Sequence, residues 1–160
     1  MIVTEHSRRL IMKHGKAILH ANRMQQEKKY LQHGNVSVYD HSVLVAFTCI
    51  WIARHLPIRT NIRALIRGAL LHDYFLYDWH IPDKHHKWHG FRHARFALQN
   101  AEKDFILNDI EKNMILSHMF PLNIEVPQYR ESVILCIADK MSAIREMIWG
   151  ITKKKYALGI

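Results

Sequence analysis

Apolar residues recur along this chain mostly at steps of three and four, and glycine and proline are sparse, 6 and 4 in 160 residues, so the pattern predicts helix nearly throughout. The expectation is an all-α fold, a compact helical bundle of about six to seven helices. A first helical region is expected from Thr4 to Gln32, broken or kinked near Gly15 and ended by His33-Gly34-Asn35. The next runs from Ser37 to His55 and stops before Pro57; a third, capped by Thr60 or Asn61, reaches Tyr74. Leu76 to Trp88 mixes aromatic, charged and proline residues without a period, which predicts a loop. Helix resumes from Phe91 to Ala101. Asn108 and Glu111 have the spacing of a capping box and open another helix, which reaches His118 and stops at Pro121. The last helix runs from Gln128 to Trp149, with Val133, Ile137, Ile144 and Ile148 expected on its core side.

The length suits one hydrophobic core, so residues 1–160 are expected to form a single domain, with no internal repeat or linker. Val43 to Ala53, the longest apolar stretch, is about half of a bilayer span, and the N-terminus carries charge where a signal peptide needs an apolar run. A cytoplasmic address without membrane contact is the expectation. Cys49 and Cys136 form no CxxC pair and sit in apolar runs, which fits small core residues rather than a disulfide framework or zinc knuckle.

The formal charge of +9 admits two partners, nucleic acid or a small anionic substrate. No RGG segment, aromatic-basic RNA motif or zinc finger is present, and Lys153, Lys154 and Lys155 read as a solvated tail. Polymeric nucleic acid is therefore the weaker reading, and a small phosphorylated metabolite fits the charge equally well.

The chemistry concentrates around Asp73, which follows His72 directly. His41, His93, His118 and Asp139 are further ligand candidates, each on a separate predicted helix or helix end. A carboxylate can bridge two cations and a neutral imidazole holds one, so the set could build a one- or two-metal centre. Taken singly, each residue has a plainer account: Asp139 pairs with Lys140 or an arginine, and His72 satisfies a backbone carbonyl. Their combination favours the metal.

The stretches YDHSVLVA, GALLHD and IADKMSA, with the order His41, His72-Asp73, His93, His118, Asp139, resemble the HD-domain superfamily of metal-dependent phosphohydrolases over roughly Val38 to Ile148. The ligand-bearing core would then span residues 36–149. The pattern is similar to the branch containing the symmetrical dinucleoside tetraphosphatases, and to small single-domain bacterial HD phosphohydrolases. It lacks the GYP segment of cyclic dinucleotide phosphodiesterases. Where many members read HDIGK, this chain reads HDYFL, so Leu76 replaces a phosphate-contacting lysine.

The resemblance implies that His41, His72, Asp73 and Asp139 hold one metal while Asp73, His93 and His118 hold a second, with His89 the rival of His93. The cofactor would be one or two divalent ions: Fe, Mn, Zn, Ni, Co or Mg. Asp73 and His72 would be catalytic, and the enzyme would hydrolyse a phosphoric ester or anhydride, a nucleotide being the favoured substrate, with a metal-activated water. The same ligand set also resembles that of mixed-valent di-iron oxygenases, and a non-catalytic nucleotide-binding module is a third reading. Candidate phosphate ligands are Arg92, Arg95, Lys140, Lys87 and Arg67, with Arg63 and Lys84 behind them, although each alone reads more simply as a solvated charge. Trp79, Trp88, Tyr74 and Tyr77 could stack on a base, with core packing the more ordinary use. A homo-oligomer is left open.

Overall fold

A computed structural model describes residues 3–79 and 89–149, except the side chains of His33, His89, Phe91 and Trp149. Helices dominate, as the spacing predicts, and seven α-helices lie among the described residues. They are α1 (Glu5–Leu19), α2 (Asn22–Gln26), α3 (Val38–His55), α4 (Ile62–Leu71), α5 (His89–Asp104), α6 (Asp109–Ser117) and α7 (Arg130–Trp149). None of the described helices is long and apolar enough to cross a membrane.

Polar side chains start these helices where the sequence places them. Ser37 accepts from the Asp40 N–H, Asn61 rather than Thr60 accepts from Ala64, and Asn108 and Glu111 form the reciprocal capping box of α6. From Ala64 to Leu71, every residue of α4 is buried, with α1, α3, α6 and α7 packed around it. A helix apolar on nearly all sides belongs in the middle of a bundle. The core centres there, on Leu65, Ile66, Ala69 and Leu70 with Phe47, Ile18 and Met114.

Three expectations need correction. Gly15 does not break α1, which continues through it as helix; a Cβ at Gly15 would lie 2.5 Å from Leu70 Cδ1, so the glycine lets α1 approach α4 closely. The first helical region does not reach Gln32. After a 3₁₀ turn at Glu27–Lys29, the chain forms a short antiparallel hairpin, β1 (Leu31–His33) and β2 (Val36–Ser37), with Gly34 at φ 58° in its turn.

The third correction concerns α7. Val133, Ile137, Ile144 and Ile148 are 46%, 45%, 54% and 62% exposed, and the buried side carries Ile134, Leu135, Ala138, Ser142 and Glu146 instead. Polar groups set this rotation. Ser142 lies 3.2 Å from Thr48 Oγ1 on α3, and Asp139 and Glu146 both reach His41, so α7 turns its carboxylates inward and an apolar stripe outward.

Candidate metal centre

Five helices deliver the six predicted side chains to one place. His41 sits in the first turns of α3, His72 closes α4, His93 lies on α5, His118 closes α6 and Asp139 lies in the middle of α7. After His72 the chain turns sharply, with Tyr74 N–H donating to Leu71 and Phe75 N–H to Asp73. This turn holds Asp73 under the helix end, and all six residues are buried.

The two oxygens of Asp73 face different partners. Oδ2 lies 3.3 Å from His72 Nε2 and 3.8 Å from His41 Nε2, whereas Oδ1 lies 3.3 Å from His93 Nε2 and 3.4 Å from His118 Nε2. Asp139 Oδ1 adds itself to the first group, 3.1 Å from His41 and 3.6 Å from His72. Two sets of donor atoms result, His41–His72–Asp73 and Asp73–His93–His118, each close enough to converge on one cation.

For His72 and His118, hydrogen bonds at the far side of the ring fix which nitrogen faces inward. His72 Nδ1 donates to the Ala69 carbonyl at 2.8 Å and His118 Nδ1 to the Ile115 carbonyl at 2.7 Å. A carbonyl only accepts, so a neutral ring keeps its lone pair on Nε2, aimed at the cluster. His93 and His118 bring their Nε2 atoms within 2.8 Å of each other, and neither His72 Nε2 nor Asp73 Oδ1 has a directed hydrogen bond although both are buried. Buried polar atoms normally find partners. Nitrogen lone pairs and carboxylate oxygens converging on shared points are the donor set a divalent transition metal takes, so these residues fit such an ion.

The electrostatics point the same way. Burial alone would raise the Asp73 pKa, but His72, His118 and His93 hold it well below the usual carboxylate range. Asp139 is likewise lowered against its own burial, by His41 and His72. Burial lowers His118, which keeps it a neutral donor despite the pull of Asp73. His41 behaves oppositely: burial would lower it, yet Asp139 and Glu146 raise it well above the ordinary value.

Asp73, His93, His118 and Asp139 open onto a cavity of about 770 Å³. Its other walls include Trp79, Met119, Pro121, Leu122 and Ala143, with Gln32 and Lys140 contributing polar groups. Trp79 therefore stands where a base could stack. Tyr74 is buried and donates to Asp104, and Tyr77 packs on Phe75 and Phe96, which is the core use.

The candidate phosphate ligands divide. Lys140 lines the cavity, its Nζ donating to the carbonyls of His118 and Cys136 rather than pairing with Asp139 as the plainer account of that carboxylate has it. Arg67 is buried away from the cavity; Nε donates to Glu111 at 2.7 Å and Nη2 to the Ile106 carbonyl. This internal ion pair ties α4 to α6. Arg92 and Arg95 line a separate depression of about 470 Å³, where Arg92 lies over Phe96 and Arg95 pairs with Glu125. Arg63 is exposed. Lys84, Lys87 and Trp88 lie outside the described residues, as does the side chain of His89, whose backbone opens α5.

Two residues join the cluster without having been singled out in the sequence. Gln32, on β1, donates from Nε2 to Asp73 Oδ2 at 2.6 Å, and no local signal marks it because the hairpin brings it there. Glu146 meets His41 Nδ1 with both oxygens, at 3.0 and 2.9 Å. A signal for Glu146 did exist: it stands two helical turns after Asp139 and so on the same face of α7.

No curated protein and no solved structure matches the chain significantly. The HD domain model matches residues 38–144, which contain all six clustered side chains and more than half of the sequence, and the chain therefore belongs to the HD domain family, whose members are generally metal-dependent hydrolases.

Proposed function

We propose that this protein is a phosphohydrolase that cleaves a small phosphoester, with a nucleotide the favoured substrate, using a water activated at a two-metal centre. The observation that carries this reading is the division of Asp73, whose Oδ1 and Oδ2 address two different histidine groups within one buried carboxylate. His41, His72, Asp73 and Asp139 would hold one ion, and Asp73, His93 and His118 the other. When bound, such ions lower the pKa of a coordinated water and offset the negative charge that grows on a phosphoryl group.

The remaining work falls to the chain itself. Ala69 and Ile115 keep the Nε2 lone pairs of His72 and His118 directed inward. Gln32 holds the Asp73 carboxylate in the orientation that splits its oxygens. Lys140 supplies a positive end for a phosphate at the cavity wall, in place of the lysine that Leu76 displaces. Trp79, Met119, Pro121 and Leu122 keep that wall apolar, which suits the organic part of the substrate and excludes water.

The test is hydrolysis by untagged protein loaded in turn with Mn, Co, Ni, Zn, Fe or Mg, offered a generic phosphoester and a panel of mononucleotides and dinucleoside polyphosphates. Phosphate release that depends on added metal is expected. No release from any substrate with any metal would refute the reading.

A further inference from the structure

Glu146 lies two residues beyond the segment matched to the family, and the ligand set assigned above does not need it. Yet it is 4% exposed in the middle of a protein, where an unpaired carboxylate costs several kcal/mol. Both of its oxygens go to His41 Nδ1, at 3.0 and 2.9 Å, and among the described residues no lysine or arginine pairs with it. His41 thus stands between two carboxylates, with Glu146 behind the ring and Asp139 at 3.1 Å from its Nε2.

Two of the other rings have a different support. His72 and His118 are each oriented by a backbone carbonyl, a neutral acceptor. A carboxylate behind an imidazole fixes the ring in the same way but also pushes electron density toward the opposite nitrogen, which strengthens it as a donor. Among the described residues the His41 group holds a second charge advantage, since the carboxylates of both Asp73 and Asp139 face it, whereas His93 and His118 share the other oxygen of Asp73. A divalent ion therefore meets more negative charge and a better nitrogen donor on one side of Asp73 than on the other.

We propose that Glu146 is a positioning residue for His41, and that it makes the His41 side of Asp73 the tighter of the two cation sites. The inference rests on the metal reading above and adds to it an unequal pair of affinities set from behind the ligands. Glu146→Gln keeps the shape and one acceptor oxygen while removing the charge; Glu146→Ala removes both.

The experiment titrates untagged protein with Co²⁺, following its visible absorption in competition with a chelator, and records the melting temperature of the metal-free forms. The tighter event of the parent should weaken on the order of tenfold in Glu146→Gln and up to about 100-fold in Glu146→Ala, with the weaker event unchanged. If the parent shows a single event, that event must carry the loss. Parent-like Co²⁺ affinity in Glu146→Ala overturns the inference while leaving the metal centre standing. Equal weakening of both events with a lower metal-free melting temperature also overturns it, because that marks general loosening of α7. A parent that takes up no Co²⁺ overturns the metal reading itself, and this inference falls with it.

Discussion

Replacing Arg67 by methionine separates a structural role from a substrate-binding one. The side chain is one-tenth exposed, and its Nε donates to Glu111, which is 1% exposed, at 2.7 Å. Glu111 Oε2 also accepts from the Asn108 N–H, so the same carboxylate caps α6, the helix that ends at His118. Methionine is unbranched and fills much of the arginine stem's space, so the main loss is electrostatic: a buried carboxylate keeps one backbone donor and no counter-charge. Breaking one side of a buried pair costs about 3–5 kcal/mol. For a chain of this length each kcal/mol moves the melting temperature by about 2–4 °C, so Arg67→Met should melt on the order of 10 °C below the parent. Arg67→Met combined with Glu111→Gln should recover part of that loss, because the uncompensated charge is gone. Circular dichroism melts give the stability, and phosphate release well below the lower transition gives KM, which should stay at the parent's value. An unchanged melting temperature together with a raised KM would refute this account and return Arg67 to the substrate.

Other perturbations probe different parts of the structure. Glu27, whose Oε1 accepts the Leu76 N–H, has its carboxyl pushed up to about 8, with burial outweighing that hydrogen bond and Asp73 adding to the rise. A pKa higher in the folded than in the unfolded chain contributes stability that is full below the unfolded value and lost as pH rises through the folded one. Between about pH 5 and pH 8 the parent should therefore lose stability relative to Glu27→Gln, on the order of 3 kcal/mol by urea denaturation; parallel curves would contradict the assignment. Gly68→Ala would set a Cβ 2.6 Å from Met114 Sδ and 3.1 Å from Met114 Cβ, so the buried Met114 side chain must repack between α4 and α6. A loss of about 1–3 kcal/mol is expected, and a melting temperature equal to the parent's would contradict it. His93→Ala should release the ion on its side of Asp73 and leave the His41 group loaded, which elemental analysis reads as a halved metal content.

Much of this arrangement is legible in the chain. Ser37, Asn61 and the Asn108–Glu111 pair mark helix starts because a capping oxygen must precede free N–H groups, a local requirement that leaves a local trace. His72-Asp73 at a helix end, with four more histidine or aspartate ligands spread over other helices, shows the cluster for a similar reason: ligands cannot be replaced by residues of other chemistry. The rest depends on tertiary packing. The rotation of α7 is invisible to hydropathy because Asp139, Ser142 and Glu146 face inward while Ile137, Ile144 and Ile148 face outward. Arg67 looks like a surface cation until the burial of α4 on every side is known. Gln32 belongs to strands of three and two residues, too short to give an alternating pattern, and only the folded hairpin brings it to Asp73.

The central claim is that one carboxylate serves two cations, and the metal content of untagged Asp73→Ala tests it most directly. Elemental analysis of the folded variant beside the parent, with folding checked by circular dichroism, should find both ions lost and phosphate release abolished. A folded Asp73→Ala chain that keeps the parent's metal content would contradict the account.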